Sequence, residues 1–309
     1  MKHPSLVRPL LYTLLLFMHM GCKPEQQAMG AKNINQNPKG HAQRLEMPHL
    51  DANHLFNCYT TTHEGKELVT FSIEYDQEKR HTKWVAYTID KNTAQKNWSR
   101  GNWEKGDPFR TDPLLPKNIA IGHAEHRGDP YDRGHLCASE DRVYSQEANA
   151  QTFYYSNISP QLEAFNQRGP WYELEKKIRQ WGGCEEGIAP LGNILYIVKG
   201  GTIRDGEYYD SRGQHGKIVN KSKKMNGIVV PAHFFVALIS QQGDTYTGIS
   251  FYLDHKEYEK NYNLADYAIS IDQLEKLTGI DFFCNFPDKI EEDIESKCNP
   301  SYWNLNSIR

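Results

Sequence analysis

The sequence predicts an α+β fold, because several runs typical of β-strands lie on either side of an amphipathic helix. Residues 69–75 and 83–89 are two such runs, and the polar stretch 76–80 between them is typical of a connecting turn. Large apolar side chains at i, i+3, i+7 and i+10 indicate the helix: Trp171, Leu174, Ile178 and Trp181. Further strand candidates follow at residues 194–198, 228–240 and 246–253.

Two other segments are predicted from local patterns. Residues 91–118 are interrupted by three prolines and are expected to form a long surface loop packed by its aromatic side chains. Its basic residues Arg100, Lys105 and Arg110 are candidate phosphate contacts.

Near the C-terminus, Ser270 and Gln273 form a capping-box pattern that begins a short helix, and Gly279 can end it. Asp272 and Glu275 are interpreted as structural, because they belong to this capped helix.

The first 22 residues are typical of an export signal. Lys2 and Arg8 flank the start of an apolar run at residues 10–18, which is too short for a comfortable transmembrane helix. The run closes on Gly21-Cys22, which resembles a bacterial lipoprotein signal with Cys22 as the lipidated N-terminus. His19 stands where such signals usually have Leu. We therefore expect a membrane-anchored lipoprotein, with a periplasmic or secreted protein as the alternative.

The rest of the chain divides into a tether and one domain. Residues 23–55 are rich in Gln, Asn, Lys and Pro without periodicity and are predicted to be a flexible tether. Residues 56–309 are assigned to the folded domain, since 38% hydrophobic and 12% aromatic residues exclude global disorder. The oligomeric state is left open.

The net charge excludes a basic field over the whole protein. The chain has 36 Lys+Arg and 39 Asp+Glu, and removing residues 1–22 leaves 34 − 39 = −5. Contacts to nucleic acid would therefore come from local basic patches. Four lysines form a local basic run, which is more typical of a solvated face: Lys217, Lys221, Lys223 and Lys224.

Export would permit disulfide bonds. Apart from Cys22 the chain has five cysteines, of which Cys284 and Cys298 are the most plausible pair, and any second pair cannot be read from the sequence. No two cysteines have the close spacing of structural zinc sites.

The segment with the most chemical content runs from Tyr131 to Arg142 and contains Asp132-Arg133-Gly134-His135. A neutral imidazole with an unperturbed pKa of about 6.5 can accept a proton from water at neutral pH. The planar guanidinium of arginine pairs with two phosphate oxygens at once. Glycine next to the histidine permits a tight backbone path and the close approach of a large ligand. Arg-Gly-His alone is also compatible with a solvated loop.

Further motifs follow in order: Asn157-Ile158-Ser159-Pro160-Gln161, Phe165-Asn166, Trp171-x-x-Leu174-Glu175, Val230-Pro231-Ala232-His233-Phe234-Phe235 and Leu277-Thr278-Gly279-Ile280-Asp281-Phe282-Phe283. With Asp132-Arg133-Gly134-His135, this order resembles the DNA/RNA non-specific endonuclease family, the ββα-metal (His-Me finger) nucleases that include mitochondrial endonuclease G. The similarity covers about residues 69–295. It implies a central antiparallel β-sheet flanked by helices, with a ββα-metal active-site motif.

The resemblance also implies the reaction, which is hydrolysis of phosphodiester bonds in DNA and RNA that leaves 5′-phosphate ends. His135 would be the general base, and Asn166 would be the direct protein ligand of Mg²⁺, with Mn²⁺ as a possible substitute. One amide oxygen suits Mg²⁺, which keeps most of its waters.

The resemblance places other residues around the same site. Arg133, Glu175 and Arg179 would contact phosphate or hold metal-bound water. Asn157 would orient neighbouring groups, and Arg168 is a candidate for substrate binding.

One departure from the family pattern predicts a local distortion. Asn166 and Trp171 are five positions apart instead of four, and Asn166 and Glu175 are nine apart, which is about 900° on a straight helix. The two side chains would then lie on opposite faces. Proline suits the first position of a new helix, so a break or bulge is predicted at residues 167–170.

Other histidines have simpler interpretations. His123 and His126 beside Glu125 are a weak metal-cluster candidate and are more typical of a loop. His233 lies in an apolar strand and is interpreted as a core histidine. His81 and His215 are left unassigned.

Two alternatives to an exported nuclease remain. One is a catalytically inactive nucleic-acid-binding lipoprotein of the same fold, and the other is a metal-dependent phosphodiesterase that acts on small molecules.

Overall fold

The computed structural model describes residues 34–36, 41–103, 106–203, 206–209, 215–218 and 227–305. Among these residues, no helix combines the length and the apolar character needed to cross a bilayer. Several sequence predictions lie outside the described residues: the export signal with Cys22, Lys105, Lys221, Lys223, Lys224 and the side chains of His215 and Lys217.

The described elements alternate between strands and short helices. In chain order they are β1 (Leu55–His63), β2 (Lys66–Asp76), β3 (His81–Asp90), β4 (Asp132–His135), α1 (Gln146–Gln151), β5 (Ile158–Gln161), α2 (Glu163–Arg168), α3 (Pro170–Trp181), β6 (Ile194–Gly201), β7 (Gly206–Tyr209), β8 (His215–Ile218), β9 (His233–Gln242), β10 (Thr245–Asp254), β11 (Ala268–Ile269), α4 (Ile271–Thr278) and α5 (Asp288–Glu295).

A seven-stranded antiparallel sheet forms the centre of the fold, in the order β1-β2-β3-β6-β9-β10-β11. Two-stranded antiparallel pairs, β4-β5 and β7-β8, accompany it. The predicted α+β class with a central antiparallel sheet is therefore confirmed.

The strand candidates lie inside observed strands, with one exception. The candidate at residues 228–240 is too long at its start, because β9 begins only at His233. Pro231 lacks the N–H that a strand ladder requires. The strand β1 was not predicted.

Side chains of the sheet alternate between two apolar layers, as the two-residue period of a strand requires. Val85 and Tyr87 of β3 pack in the layer that also contains Trp171 and Leu174 of α3. Trp84 lies in the opposite layer, with the apolar residues of α4 and α5. The predicted helix is confirmed as α3, and its four apolar residues are buried.

A helix break separates α2 from α3 at Gly169, as predicted. Gly169 has an extended backbone (φ −100°, ψ −169°), and Pro170 occupies the first turn of α3. A Cβ atom at Gly169 would lie 2.8 Å from the carbonyl oxygen of Ala164 and 2.9 Å from Cα of Phe165. Only glycine therefore permits this close approach of the chain to α2.

The N-terminal part of the chain is packed from residue 41 onward. Met47 is buried in the layer of α4 and α5. Two asparagines secure the segment, because Asn35 donates to the carbonyl oxygen of Pro48 (3.0 Å) and Asn285 donates to that of Arg44 (2.7 Å). The expectation of a flexible tether is wrong for residues 41–55, because side-chain hydrogen bonds to backbone carbonyls do not require a periodic sequence.

The C-terminal region gives one confirmation and one correction. The predicted capping box of Ser270 and Gln273 is present, and Gly279 ends α4 with a left-handed backbone (φ 67°). The five cysteines among the described residues are free, so the expected bond between Cys284 and Cys298 is not formed. Cys284 is buried, with its Sγ 3.7 Å from the carbonyl oxygen of Met47, whereas Cys298 is exposed.

Candidate active site

The strand β4 carries Asp132-Arg133-Gly134-His135 and pairs with β5. The strand β5 is followed directly by α2 and α3. His135 is the last residue of β4 and pairs with Ile158 of β5. A Cβ atom at Gly134 would lie 2.1 Å from the side-chain oxygen of Gln161. A side chain at position 134 would therefore displace the buried side chain of Gln161, so packing against the neighbouring strand also favours glycine here.

Most of the candidate residues line one cavity of about 550 Å³. Its lining includes Arg133, His135, Asn166, Glu175 and Arg179. The break between α2 and α3 brings the amide of Asn166 and the carboxylate of Glu175 to the same cavity. Arg100, a candidate phosphate contact, also lines it.

The His135 imidazole is held between aromatic rings and kept neutral. Its ring centroid lies 5.5 Å from that of Phe109 and 5.1 Å from that of Phe153. Burial, together with the positive charges of Arg100, Lys199 and Arg133, lowers the pKa of His135 to about 3. Its Nε2 is buried and has no hydrogen-bond partner among the described residues. The neutral imidazole is the protonation state that a general base requires.

The Asn166 amide is oriented by Asp132. Nδ2 of Asn166 donates to Oδ2 of Asp132 at 2.9 Å, and Nε2 of Gln167 donates to the same oxygen at 2.7 Å. Because the amino side of the amide is engaged, its carbonyl oxygen is the group left for a cation. Asp132 itself lines the cavity.

The Glu175 carboxylate is paired with a buried lysine of the central sheet. Nζ of Lys199 lies 3.1 Å from Oε1 of Glu175 and 4.4 Å from the ring centroid of Trp171. The Lys199 side chain is entirely buried. Burial raises the pKa of Glu175, and the positive charge of Lys199 opposes that rise.

The two arginines of the cavity are each held by an aspartate. NH1 of Arg179 lies 3.5 Å from Oδ1 of the buried Asp141. Arg133 makes an ion pair with Asp107, and its guanidinium lies 3.9 Å from the ring centroid of Phe109. A phosphate that binds Arg133 would compete with the Asp107 carboxylate.

Comparison with known proteins identifies the family. Residues 54–289 match the family model described as DNA/RNA non-specific endonuclease. The chain belongs to the DNA/RNA non-specific endonuclease family. The family makes this protein a nuclease in the general sense of a hydrolase that acts on nucleic acids.

Several characterised proteins are similar to this nuclease. A nuclease from Nostoc sp. is 31% identical over 236 residues, which cover 74% of this chain and 76% of the relative. Nuclease C1 from Cunninghamella echinulata var. echinulata is 26% identical over 72% of this chain and 84% of its own. Human mitochondrial endonuclease G is 26% identical over 71% of this chain and 69% of its own.

A solved structure supports the fold assignment. A chain in the crystal structure of the EndoG/EndoGI complex matches with a TM-score of 0.59 and 20% identity, over 74% of this chain and 87% of that chain.

Two predicted site residues of the nuclease lie outside the cavity. Asn157 is completely buried, where its side chain accepts from the backbone N–H of Cys137 (2.8 Å) and donates to the Cys137 carbonyl (2.9 Å). It positions the turn that follows His135, and it does not line the cavity. Arg168 is exposed and pairs with Glu163 at 2.7 Å, so the structure does not bring it to the cavity.

The other candidate residues have structural contacts. Glu125 pairs with Arg80 at 2.8 Å, whereas Nδ1 of His126 lies 3.3 Å from Asp129, so the His123–Glu125–His126 group does not converge. His233 is a core histidine, as predicted, and stacks on Tyr252.

Two further residues also have structural contacts. Arg110 is exposed, and its guanidinium lies over the ring of Tyr154. His81 is buried, with Nε2 2.9 Å from the Ser159 hydroxyl.

Three charged residues of the site were missed from the sequence: Asp107, Asp141 and Lys199. Lys199 had a detectable signal, because it is a cation in the otherwise apolar run of β6. The two aspartates lie in polar stretches and give no comparable signal. Asp132 was noted within the central motif, but its role depends on a contact with α2.

We predict that Lys199→Met destabilises the nuclease mainly above acidic pH. Without the lysine the buried Glu175 has a pKa raised further above its unfolded value of about 4.3, so the ionised form destabilises the fold as the pH rises above that value. Removing one partner of a buried pair costs about 3 kcal/mol. Urea unfolding at pH 4.5 and pH 7 should show the larger loss at pH 7.

The double variant Lys199→Met/Glu175→Gln is the control, because it removes both charges. It should recover most of the stability at pH 7. Equal losses at both pH values would contradict the interpretation of Lys199 as the counter-ion of Glu175.

Proposed function

We propose that this protein is an exported, Mg²⁺-dependent endonuclease without sequence specificity that cleaves DNA and RNA. His135 is the general base, and Asn166 is the protein ligand of the metal ion. The observation that carries the proposal is the convergence of a neutral imidazole and an oriented amide oxygen on one cavity, across the helix break at Gly169.

The donor groups in the cavity fit a hard divalent cation. The amide oxygen of Asn166 and the carboxylate of Glu175 are oxygen ligands of the kind that Mg²⁺ prefers, and Mn²⁺ accepts the same set. When bound, such an ion neutralises negative charge that develops on the phosphate and the leaving oxygen. Asp132 fixes the amide orientation that this binding requires.

The other side chains of the cavity perform separate tasks. His135 accepts the proton of the attacking water, because its imidazole is neutral and the residue lines the cavity. Arg133 and Arg179 bind phosphate oxygens, and Arg133 exchanges its aspartate partner for the substrate. Contacts to phosphates carry no sequence information, which supports cleavage without sequence preference.

We predict that His135→Ala lowers the rate of plasmid nicking about 10²–10⁴-fold, because a positioned general base contributes that factor. EDTA should abolish nicking by the unaltered protein, and added Mg²⁺ should restore it. Single-stranded RNA should be cleaved under the same conditions.

His49→Ala is the matched control, since His49 is exposed and lies outside the cavity. It should nick at the unaltered rate. Full activity of His135→Ala would refute the base assignment, and plasmid binding without nicking by the unaltered protein would instead favour the inactive binding protein.

The pH dependence tests the electrostatics of the base. Because the pKa of His135 is lowered to about 3 by burial and by Arg100, Lys199 and Arg133, the imidazole stays neutral well below its ordinary pKa. We expect the acidic limb of kcat/KM to lie below pH 6.5. In Arg100→Gln, loss of a neighbouring positive charge should move this limb to higher pH. A limb at or above pH 6.5 in the unaltered protein would contradict this account.

Export and membrane attachment are a separate part of the proposal. Residues 1–22 serve as the signal, and a lipid on Cys22 anchors the protein. In bacterial cells grown with labelled palmitate, the unaltered protein should carry the label and Cys22→Ala should not. Unlabelled protein outside the cytoplasm would indicate plain secretion, and retention in the cytoplasm would refute export.

A further inference from the structure

Three carboxylates converge on the face of the sheet opposite the catalytic cavity. One oxygen from each of Asp272, Glu275 and Glu295 lies within 4.8 Å of the others. Asp272 and Glu275 are three positions apart in α4 and therefore share one helix face. Glu295 is the last residue of α5. The convergence thus joins two helices that are separate in sequence.

Apolar packing holds the carboxylates together against their mutual repulsion. The residues directly before two of them, Ile271 and Ile294, both pack on Gly248 of β10. A Cβ atom at Gly248 would lie 2.7 Å from Cγ2 of Ile294 and 2.9 Å from Cδ1 of Ile271. Both isoleucines belong to the apolar layer of α4 and α5. The backbone positions of Asp272 and Glu295 are therefore set by the core, and the charges have to be compensated in place.

The Glu295 side chain provides a second observation, which is independent of the number of acids. Its residue is only 7% exposed, and its Oε1 is buried without a hydrogen-bond partner among the described residues. Glu275 differs, because its Oε1 accepts from the backbone N–H of Phe282 at 2.7 Å. A buried carboxylate oxygen without a donor is costly unless a cation or a proton neutralises it. The Glu295 carboxylate contributes one oxygen to the cluster, where the other two acids offer further oxygens.

We propose that Asp272, Glu275 and Glu295 form a Ca²⁺ site that ties α4 to α5. Ca²⁺ binds carboxylate oxygens at about 2.3–2.6 Å in irregular arrangements and accepts water at the remaining positions. Opposite ligands of Ca²⁺ are then about 4.6–5.2 Å apart, which accommodates oxygens separated by up to 4.8 Å. Mg²⁺ requires about 2.0–2.1 Å and near-ideal octahedral geometry. Asp272 and Glu275 are partly exposed, so the ion has access from solvent.

The site is tested by thermal unfolding of the full-length protein, first in EDTA and then with added CaCl₂ or MgCl₂. At a calcium concentration a hundredfold above Kd, we expect Tm to rise by about 5–10 °C. The rise should persist in Glu292→Gln, which removes an exposed charge from the same helix, and should be lost in Glu295→Gln. Because Glu295→Gln keeps the shape of the side chain and removes repulsion, its Tm in EDTA should match or exceed that of the unaltered protein.

Asn166→Ala separates this site from the catalytic cavity. The calcium response should remain in Asn166→Ala, because Asn166 lies in the cavity of the opposite face. A response lost in Asn166→Ala or retained in Glu295→Gln would overturn the site. No rise with Ca²⁺ would overturn it in favour of a proton shared between the carboxylates. In Asn166→Ala, which removes the proposed catalytic metal ligand, an equal rise with Mg²⁺ would overturn the choice of calcium.

Discussion

The candidate active site depends on the chain reversing its helical phase within one residue. Nine positions of a straight helix turn by about 900°, which would direct Asn166 and Glu175 to opposite sides. The extended backbone at Gly169 resets the phase, and Pro170 then begins α3. The contacts of Gly169 with Ala164 and Phe165 leave no room for a side chain. A single glycine therefore determines whether the amide and the carboxylate meet.

A second constraint is electrostatic and comes from the central sheet. Lys199 projects from β6 into the layer of α3, where it pairs with Glu175 and lies against Trp171. The same charge contributes to the neutrality of His135. One buried cation thus opposes the rise that burial causes in the pKa of an acid and adds to the lowering that burial causes in the pKa of a base. Both effects favour the protonation states that the proposed mechanism requires.

Sequence patterns within one or two helical turns predicted the features of the structure that depend only on neighbouring residues. The break before Pro170, the capping box of Ser270 and the apolar stripe of α3 depend on residues within one or two helical turns. The candidate residues that line the cavity lie in short motifs. Asp132 and Lys199 have roles that depend on contacts 34 and 24 positions away in the chain, which spacing alone cannot indicate. The packing of residues 41–54 was missed for the same reason, since its anchors include Asn285.

The packed N-terminal segment has a consequence for the orientation of the whole molecule. Met47 lies in the layer of α4 and α5, whereas the catalytic cavity adjoins the layer of α3. A lipid on Cys22, as proposed, would be connected to the molecule on its non-catalytic side. The point of attachment would then lie on the other side of the central sheet from the cavity, so that the anchor and a polymeric substrate would occupy separate faces of the domain.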